Sequence, residues 1–284
     1  MDTSKQGLSA LVRDQGAALG LNGASSDIII QNMNAGTLPM CVGSPFTDDE
    51  QETDDFRIIK LLFDNSSSMN PVESEVIASV NDVAIPGLLG GAADQVGAIR
   101  IGGLTFNHVV RPLWQSGGES GFYPLSDLPK LTSADYRTSG STALHQGILD
   151  GVTALTAYAL QVRGRTGSNP ECVLAVWSDG ANNQRPLDAD VVRQVLTSLS
   201  PELFTLVFIG FETGERVDFV QIATELGFRD ILHSKAQPGE SADNQRRRFR
   251  NVMRVFSDKL VKRVSTSQVG LKASAGGNSG FWTP

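Results

Sequence analysis

Three compact, mainly apolar runs constrain this chain more than any other feature. Residues 57–63 (RIIKLLF) stop at Asp64, residues 171–177 (ECVLAVW) stop at Ser178-Asp179-Gly180, and residues 203–209 (LFTLVFI) form the third. A strand with one wet face alternates apolar and polar residues. Runs this continuous belong to strands covered on both faces, as in a parallel sheet. Helical spacing separates them. Leu144, Ile148, Val152, Leu155 and Ala159 recur at intervals of three and four over residues 142–162, and Phe249, Val252, Phe256 and Leu260 do so over residues 244–264. Further helices are expected over 71–89, 187–199 and 217–226. Pro71 suits a first turn, and Pro86 should kink or end its helix. Residues 96–106 and 229–233 read as strands, with 109–114 as an antiparallel neighbour of 96–106. The expected fold is α/β: a Rossmann-like, doubly wound, mostly parallel sheet with one antiparallel edge strand and helices on both faces.

Composition sets the outer limits. The chain has 284 residues, 40% apolar and 19% charged, which suits a globular protein with a sizeable core. Its net charge of −7 argues against nucleic acid or an anionic membrane as partner. No apolar stretch approaches the roughly 18 residues that would span a bilayer. The N-terminus lacks the apolar segment of a signal peptide. Cys41 and Cys172 lie far apart and suggest no metal-binding pair, and Cys172 reads as a buried thiol. A soluble, cytoplasmic protein is expected. Residues 1–55 read as a flexible tail ending in an acidic run, Asp48, Asp49, Glu50, Glu52, Asp54 and Asp55, with room for a short helix near 8–21 and a short strand at 28–31. Residues 56–264 read as the domain, and 265–284 as a flexible Ser/Gly-rich tail containing Trp282. No internal repeat is visible.

Open parallel sheets bind ligands beyond the carboxyl ends of their strands. Asp64-Asn65-Ser66-Ser67-Ser68 follows the first apolar run, and Ser178-Asp179-Gly180 follows the second. Ser139-Gly140-Ser141-Thr142 lies where the central helix begins. Converging there, these segments would present two carboxylates and three hydroxyls. An all-oxygen set suits a hard cation such as Mg²⁺ or Mn²⁺ rather than Zn²⁺ or Cu⁺. Such an ion can accept one further anionic oxygen from outside. Each piece also has a plainer reading: the DNSSSM stretch as an Asx-type turn, Thr142 as a helix cap, and Asp179-Gly180 as an ordinary turn.

Together the pieces resemble the metal-ion-dependent adhesion site of von Willebrand factor A domains, over roughly residues 56–264. The Asp64-x-Ser66-x-Ser68 pattern, Thr142 in a Gly-Ser-Thr context and Ser178-Asp179-Gly180 carry the resemblance. It implies that Ser66 and Ser68 ligate one ion (Mg²⁺, or Mn²⁺ or Ca²⁺) directly. Asp64 would act directly or through water, Thr142 directly in the ligand-engaged state, and Asp179 mainly through a bound water. Ser67 stands where the family often has Gly. The resemblance implies a binding module that grips a protein partner's Asp or Glu. Stand-alone intracellular members of prokaryotic type often work as adaptors beside AAA+ ATPases of the MoxR type, in magnesium-chelatase-like complexes, or in tellurite-resistance and phosphorylation-linked systems.

Two other classes compete. In a self-assembling subunit, the acidic run would supply the carboxylate to a neighbouring copy. A hydrolase of the haloacid dehalogenase type needs a second Asp where Ser66 stands. No G-x-S-x-G and no GxxxxGK[ST] loop occurs. A non-enzymatic role is therefore expected. His145 lies one turn after Thr142 and could border the partner site. Asn182 and Asn183 could shape its rim. Trp114 and Trp177 read as core. Arg246, Arg247, Arg248, Arg250 and Arg254 read as a solvated basic face of the last helix, and an acidic segment could dock there.

Overall fold

The computed structural model describes residues 4–46, 56–91, 98–114, 121–180, 182–183, 187–213 and 217–265. The acidic run and the C-terminal residues 266–284, Trp282 among them, lie outside the described residues. The described elements are, in chain order, α1 (Lys5–Gln15), α2 (Gly23–Asn32), β1 (Arg57–Asp64), α3 (Glu73–Ser79), α4 (Ile85–Gly91), β2 (Ile99–Phe106), β3 (Val110–Pro112), β4 (Tyr123–Pro124), α5 (Leu144–Thr166), β5 (Glu171–Ser178), α6 (Ala189–Ser198), β6 (Phe204–Phe211), α7 (Phe219–Leu226), β7 (Asp230–Ser234) and α8 (Ala242–Ser265).

The seven strands form one sheet of order β3-β2-β1-β5-β6-β7, with β4 also on β2. Neighbours from β2 to β7 run parallel, and β3 and β4 pair antiparallel with separate halves of β2. The fold is the expected mostly parallel α/β sheet with helices on both faces. β4 lies in a stretch read from sequence as loop. Among the described residues no helix is long and apolar enough to cross a membrane.

Side-chain alternation along β1 sorts the core into two layers. Ile58 and Leu62 join Leu174, Val176, Leu206 and Phe208 under α5. Ile59, Leu61 and Phe63 join Ala175, Trp177, Val207 and Ile209 under α3, α4 and α8. Two glycines let α5 approach the sheet: a Cβ on Gly147 would lie 2.6 Å from Phe106 and one on Gly151 2.6 Å from Leu62. A π-type turn, Val80–Ala84, joins α3 to α4 and precedes Pro86, whose missing N–H the wider turn accommodates.

The N-terminal segment differs from expectation. Residues 4–46 are not a flexible tail. Ser4 caps α1 by accepting from the Gly7 N–H at 3.2 Å, and Asn22 caps α2 by accepting from the Ser25 N–H at 2.9 Å. Leu8, Val12, Leu19, Leu21, Ile29, Met33 and Cys41 are buried against the α5 layer. The physical reason lies in α5, whose side chains from Gly147 to Val162 are all buried, so its outer face also needs cover. The stretch 28–31, read as a strand for its isoleucines, is helical within α2, because burial and capping outweigh β-propensity.

A buried polar cluster fastens this cover. Asp150 Oδ1 accepts from Asn32 Nδ2 at 2.9 Å, Thr37 Oγ1 at 3.1 Å and Gln146 Nε2 at 2.7 Å. Burial pushes the Asp150 carboxyl above its usual range, and these donors offset part of that. Asn32→Ala is expected to cost about 2 kcal/mol, because Asp150 loses a donor it cannot replace with water. Urea unfolding reads the change, and an unaltered midpoint would mean the cluster adds no net stability.

Between its charged ends, Arg57 and Asp64, β1 carries one residue that breaks its apolar pattern. Lys60 is fully buried, its Nζ lies 4.2 Å from the Phe122 ring centroid, and it has no hydrogen-bond partner among the described residues. Burial lowers its pKa to about 7, with Cys41 acting in the opposite direction. Cys41 and Cys172 are both free and buried, and desolvation raises both thiols, Cys41 to about 12.

Candidate metal centre

The parallel register brings the two motif strands to the same level. Phe63 pairs with Trp177, so Asp64 and Ser178 end side by side at the carboxyl edge of the sheet. The chain leaves β1 in a tight turn, with the Ser66 N–H donating to Asp64 Oδ1 at 2.8 Å. Ser178 Oγ donates to Asp64 Oδ2 at 2.7 Å. Ser66 Oγ and Ser68 Oγ lie 3.0 Å apart, and Ser68 Oγ donates to Asp179 Oδ1 at 2.8 Å. Asp64, Ser66 and Asp179 are buried, while Ser67 and Ser68 stand at the exposed mouth.

Thr142 reaches the cluster from the start of the central helix. Its N–H donates to Asn183 Oδ1 at 2.7 Å, and its C=O accepts from the Asn183 N–H at 3.1 Å. A side chain on Gly180 would come within 3.5 Å of Thr142 Oγ1, which sets the hydroxyl beside the Asp179 turn. The loop before Thr142 is pinned from two sides. The Ser67 N–H donates to the Gly140 C=O at 3.0 Å, the Ser139 N–H to the Asn65 C=O at 2.8 Å, and the Ala143 N–H to the Asn107 C=O at 2.7 Å. Gly140 has φ +71°, and a Cβ there would lie 2.3 Å from His108 Nδ1, so any side chain would be strained and would displace the His108 ring.

All five residues singled out from sequence therefore gather at one edge: Asp64, Ser66, Ser68, Thr142 and Asp179. Asn183 bonds Thr142 through both its side chain and its N–H. His145 faces a neighbouring loop, its Nδ1 2.9 Å from the Leu187 C=O and 3.3 Å from Asn182 Nδ2. Other participants escaped the sequence reading. Tyr136, fully buried, donates its hydroxyl to the Asp64 C=O at 2.7 Å. Thr213 donates its hydroxyl to Asp179 Oδ2. Thr213 lies just past the carboxyl end of β6, so the rule that picked out the first two strand ends would also have found it. Tyr136, in a long loop, carried no such signal.

The basic face of α8 is less free than its composition suggests. Arg248 lies over the Phe211 ring at 4.0 Å and pairs with Glu240 at 2.8 Å. Arg250 pairs with the buried Glu75 at 2.7 Å. His233 pairs with Glu212 at 2.8 Å.

Electrostatics single out Asp64. Burial first, and the negative charge of Asp179 second, push its pKa from 3.8 up to about 7. The hydrogen bonds from Ser178 and Ser66 offset only part of this. Two carboxylates thus lie close together and buried, an arrangement a divalent cation would relieve. The donor set, two carboxylates and three hydroxyls, is all oxygen and fits a hard cation. Among the described residues no group of three or more His, Cys, Asp or Glu side chains is placed to hold a metal, so a cation at this edge would also need the hydroxyls as ligands.

No protein-family model matches this sequence, and no curated protein matches it. Solved structures with a similar chain path include the PilB minor pilin from Streptococcus sanguinis. It is 10% identical, has a TM-score of 0.46, and the match covers 76% of this chain and 64% of that one. A von Willebrand factor type A protein from Catenulispora acidiphila is 18% identical at a TM-score of 0.42, covering 70% of this chain and 42% of that one. The SpRpn10 VWA domain is 12% identical at a TM-score of 0.40, covering 67% and 93%. The chain thus spans less than two thirds of the first two. At these identities, and with every TM-score below 0.5, no residue's role passes from those proteins to this one.

Proposed function

We propose that this protein is a metal-dependent protein-interaction module. Asp64, Ser66, Ser68 and Thr142 would hold one divalent cation, Mg²⁺ or else Mn²⁺ or Ca²⁺, and Asp179 would support the shell. When bound, the cation supplies Lewis acidity toward an anionic oxygen, here the Asp or Glu carboxylate of a protein partner. The observation that carries this reading is the convergence of two buried carboxylates and three hydroxyls at the carboxyl edge of the sheet, with Asp64 held at an unfavourable pKa of about 7. Binding rather than catalysis is the favoured role. His145, the histidine nearest the motif in sequence, is engaged with Leu187 and Asn182. The setting proposed for this module is that of a cytoplasmic adaptor in a multi-protein system, built around an AAA+ ATPase or linked to stress or phosphorylation.

Calorimetry with Mg²⁺ and Mn²⁺ tests the reading. The wild-type chain is expected to bind one ion, and Asp64→Ala none. Each protein, immobilised with and without EDTA, is then offered synthetic acidic peptides. Retention by the wild type only, and only with metal, supports the module. Absence of metal binding to the wild type sinks it.

A further inference from the structure

Asp179 is held from two directions at once. Ser68, from the turn after β1, donates to Oδ1 at 2.8 Å, and Thr213, from the end of β6, donates to Oδ2. The two oxygens of one carboxylate are thus each occupied by a hydroxyl, and the plane of the group is set by chain segments on either side of β5. Thr213 is itself anchored. Gln245 Nε2 of α8 donates to its C=O at 3.2 Å. The preceding residue, Glu212, accepts from the Ala236 N–H at 2.9 Å and pairs with His233. Arg248 donates to the Glu212 C=O. These tethers fix the backbone from which the Thr213 hydroxyl reaches Asp179.

From this we infer that Thr213 is a positioning residue for the metal centre, an inference that rests on the function proposed above. Its hydroxyl fixes the rotation of the Asp179 carboxylate and takes up one lone pair of Oδ2. Ser68 takes up one of Oδ1. What Asp179 offers the cation is then a pair of oriented lone pairs, suited to accept hydrogen bonds from water on the ion. Without Thr213, one side of the carboxylate is released. It can turn about its χ2 bond, toward the ion or away from it. Outer-shell partners of this kind typically alter metal affinity by about 10- to 100-fold.

The full chain is titrated with Mn²⁺ and Mg²⁺ as the wild type, Thr213→Val and Thr213→Ser. Calorimetry gives affinity, and the water-proton relaxation of the Mn²⁺ complex reports how many waters the ion keeps. Thr213→Val, nearly the same volume without the hydroxyl, is expected to weaken binding about tenfold and to change the relaxation enhancement. Thr213→Ser, which keeps the hydroxyl, is expected to stay near the wild type in both. Thermal midpoints in EDTA show that each variant folds. Wild-type affinity and relaxation in Thr213→Val overturn the inference and leave the metal reading intact. A failure of Thr213→Ser to rescue overturns it as well, since packing rather than the hydroxyl would then matter. A wild type that binds neither ion overturns both.

Discussion

In EDTA at pH 8, Asp64→Asn is expected to be more stable than the wild type, although it removes the central residue of the site. Asp64 is fully buried, and burial and Asp179 raise its pKa from 3.8 to about 7. The folded state keeps a proton that the unfolded state gives up. Stability therefore falls as pH rises from about 4 to about 7, and above that the whole penalty applies. Three units correspond to about 4 kcal/mol. Asparagine carries no charge, and its amide can still meet Ser66 and Ser178. Reorganisation will consume part of the gain, so an increase of about 2 kcal/mol in urea unfolding is expected. Millimolar Mg²⁺ should reverse the order, because it stabilises only the protein that binds it. An Asp64→Asn protein less stable than the wild type in EDTA would mean that the site is not electrostatically frustrated when empty.

Lys60→Met is expected to raise stability most near and below pH 7. Lys60 is buried in β1 with its pKa lowered from 10.5 to about 7. Between these values the unfolded chain holds a proton that the folded one lacks, so wild-type stability rises with pH across that window. Below about 7 the charged amine is confined in the core at full cost. The shift corresponds to about 5 kcal/mol. Attraction to the Phe122 ring returns up to about 2 kcal/mol to the charged form, too little to offset burial. Methionine fills similar space without a charge. A gain of about 2–3 kcal/mol at pH 6 is expected, shrinking toward pH 10. With Asp64 acting below pH 7 and Lys60 above it, the metal-free protein should pass through a stability minimum near neutrality. Lys60→Met should flatten its alkaline side and Asp64→Asn its acid side. A wild-type profile that is level from pH 5 to 10 would contradict both.

Lys60 also shows where reading a sequence stops. In RIIKLLF the lysine interrupts an apolar run without changing its identity as a strand. Its environment depends on Phe122, Cys41 and the space above Gly102, all distant in sequence. The N-terminal segment failed for the opposite reason. Its Gly, Ser and Asn look like loop composition, yet they cap helices whose few apolar residues suffice to cover α5. Whether α5 needed cover on a second side was not decidable from its own spacing, since a helix buried all round and one buried on a stripe differ only in what lies outside them.

Sequence alone determined the layered α/β architecture, because strand and helix periodicities are local and strands apolar on both faces must lie inside a sheet. It also determined which oxygen-bearing residues would stand at the carboxyl edge, because motif positions follow directly from where strands end. Only the tertiary structure decided that residues 4–46 belong to the domain, that Tyr136 donates to the Asp64 C=O, and that the Thr213 hydroxyl, past a strand end legible in the sequence, meets the Asp179 carboxylate. It alone placed a lysine in the core. Those outcomes depend on contacts between segments far apart in the chain, and burial and electrostatic cost are properties of such contacts rather than of any one segment.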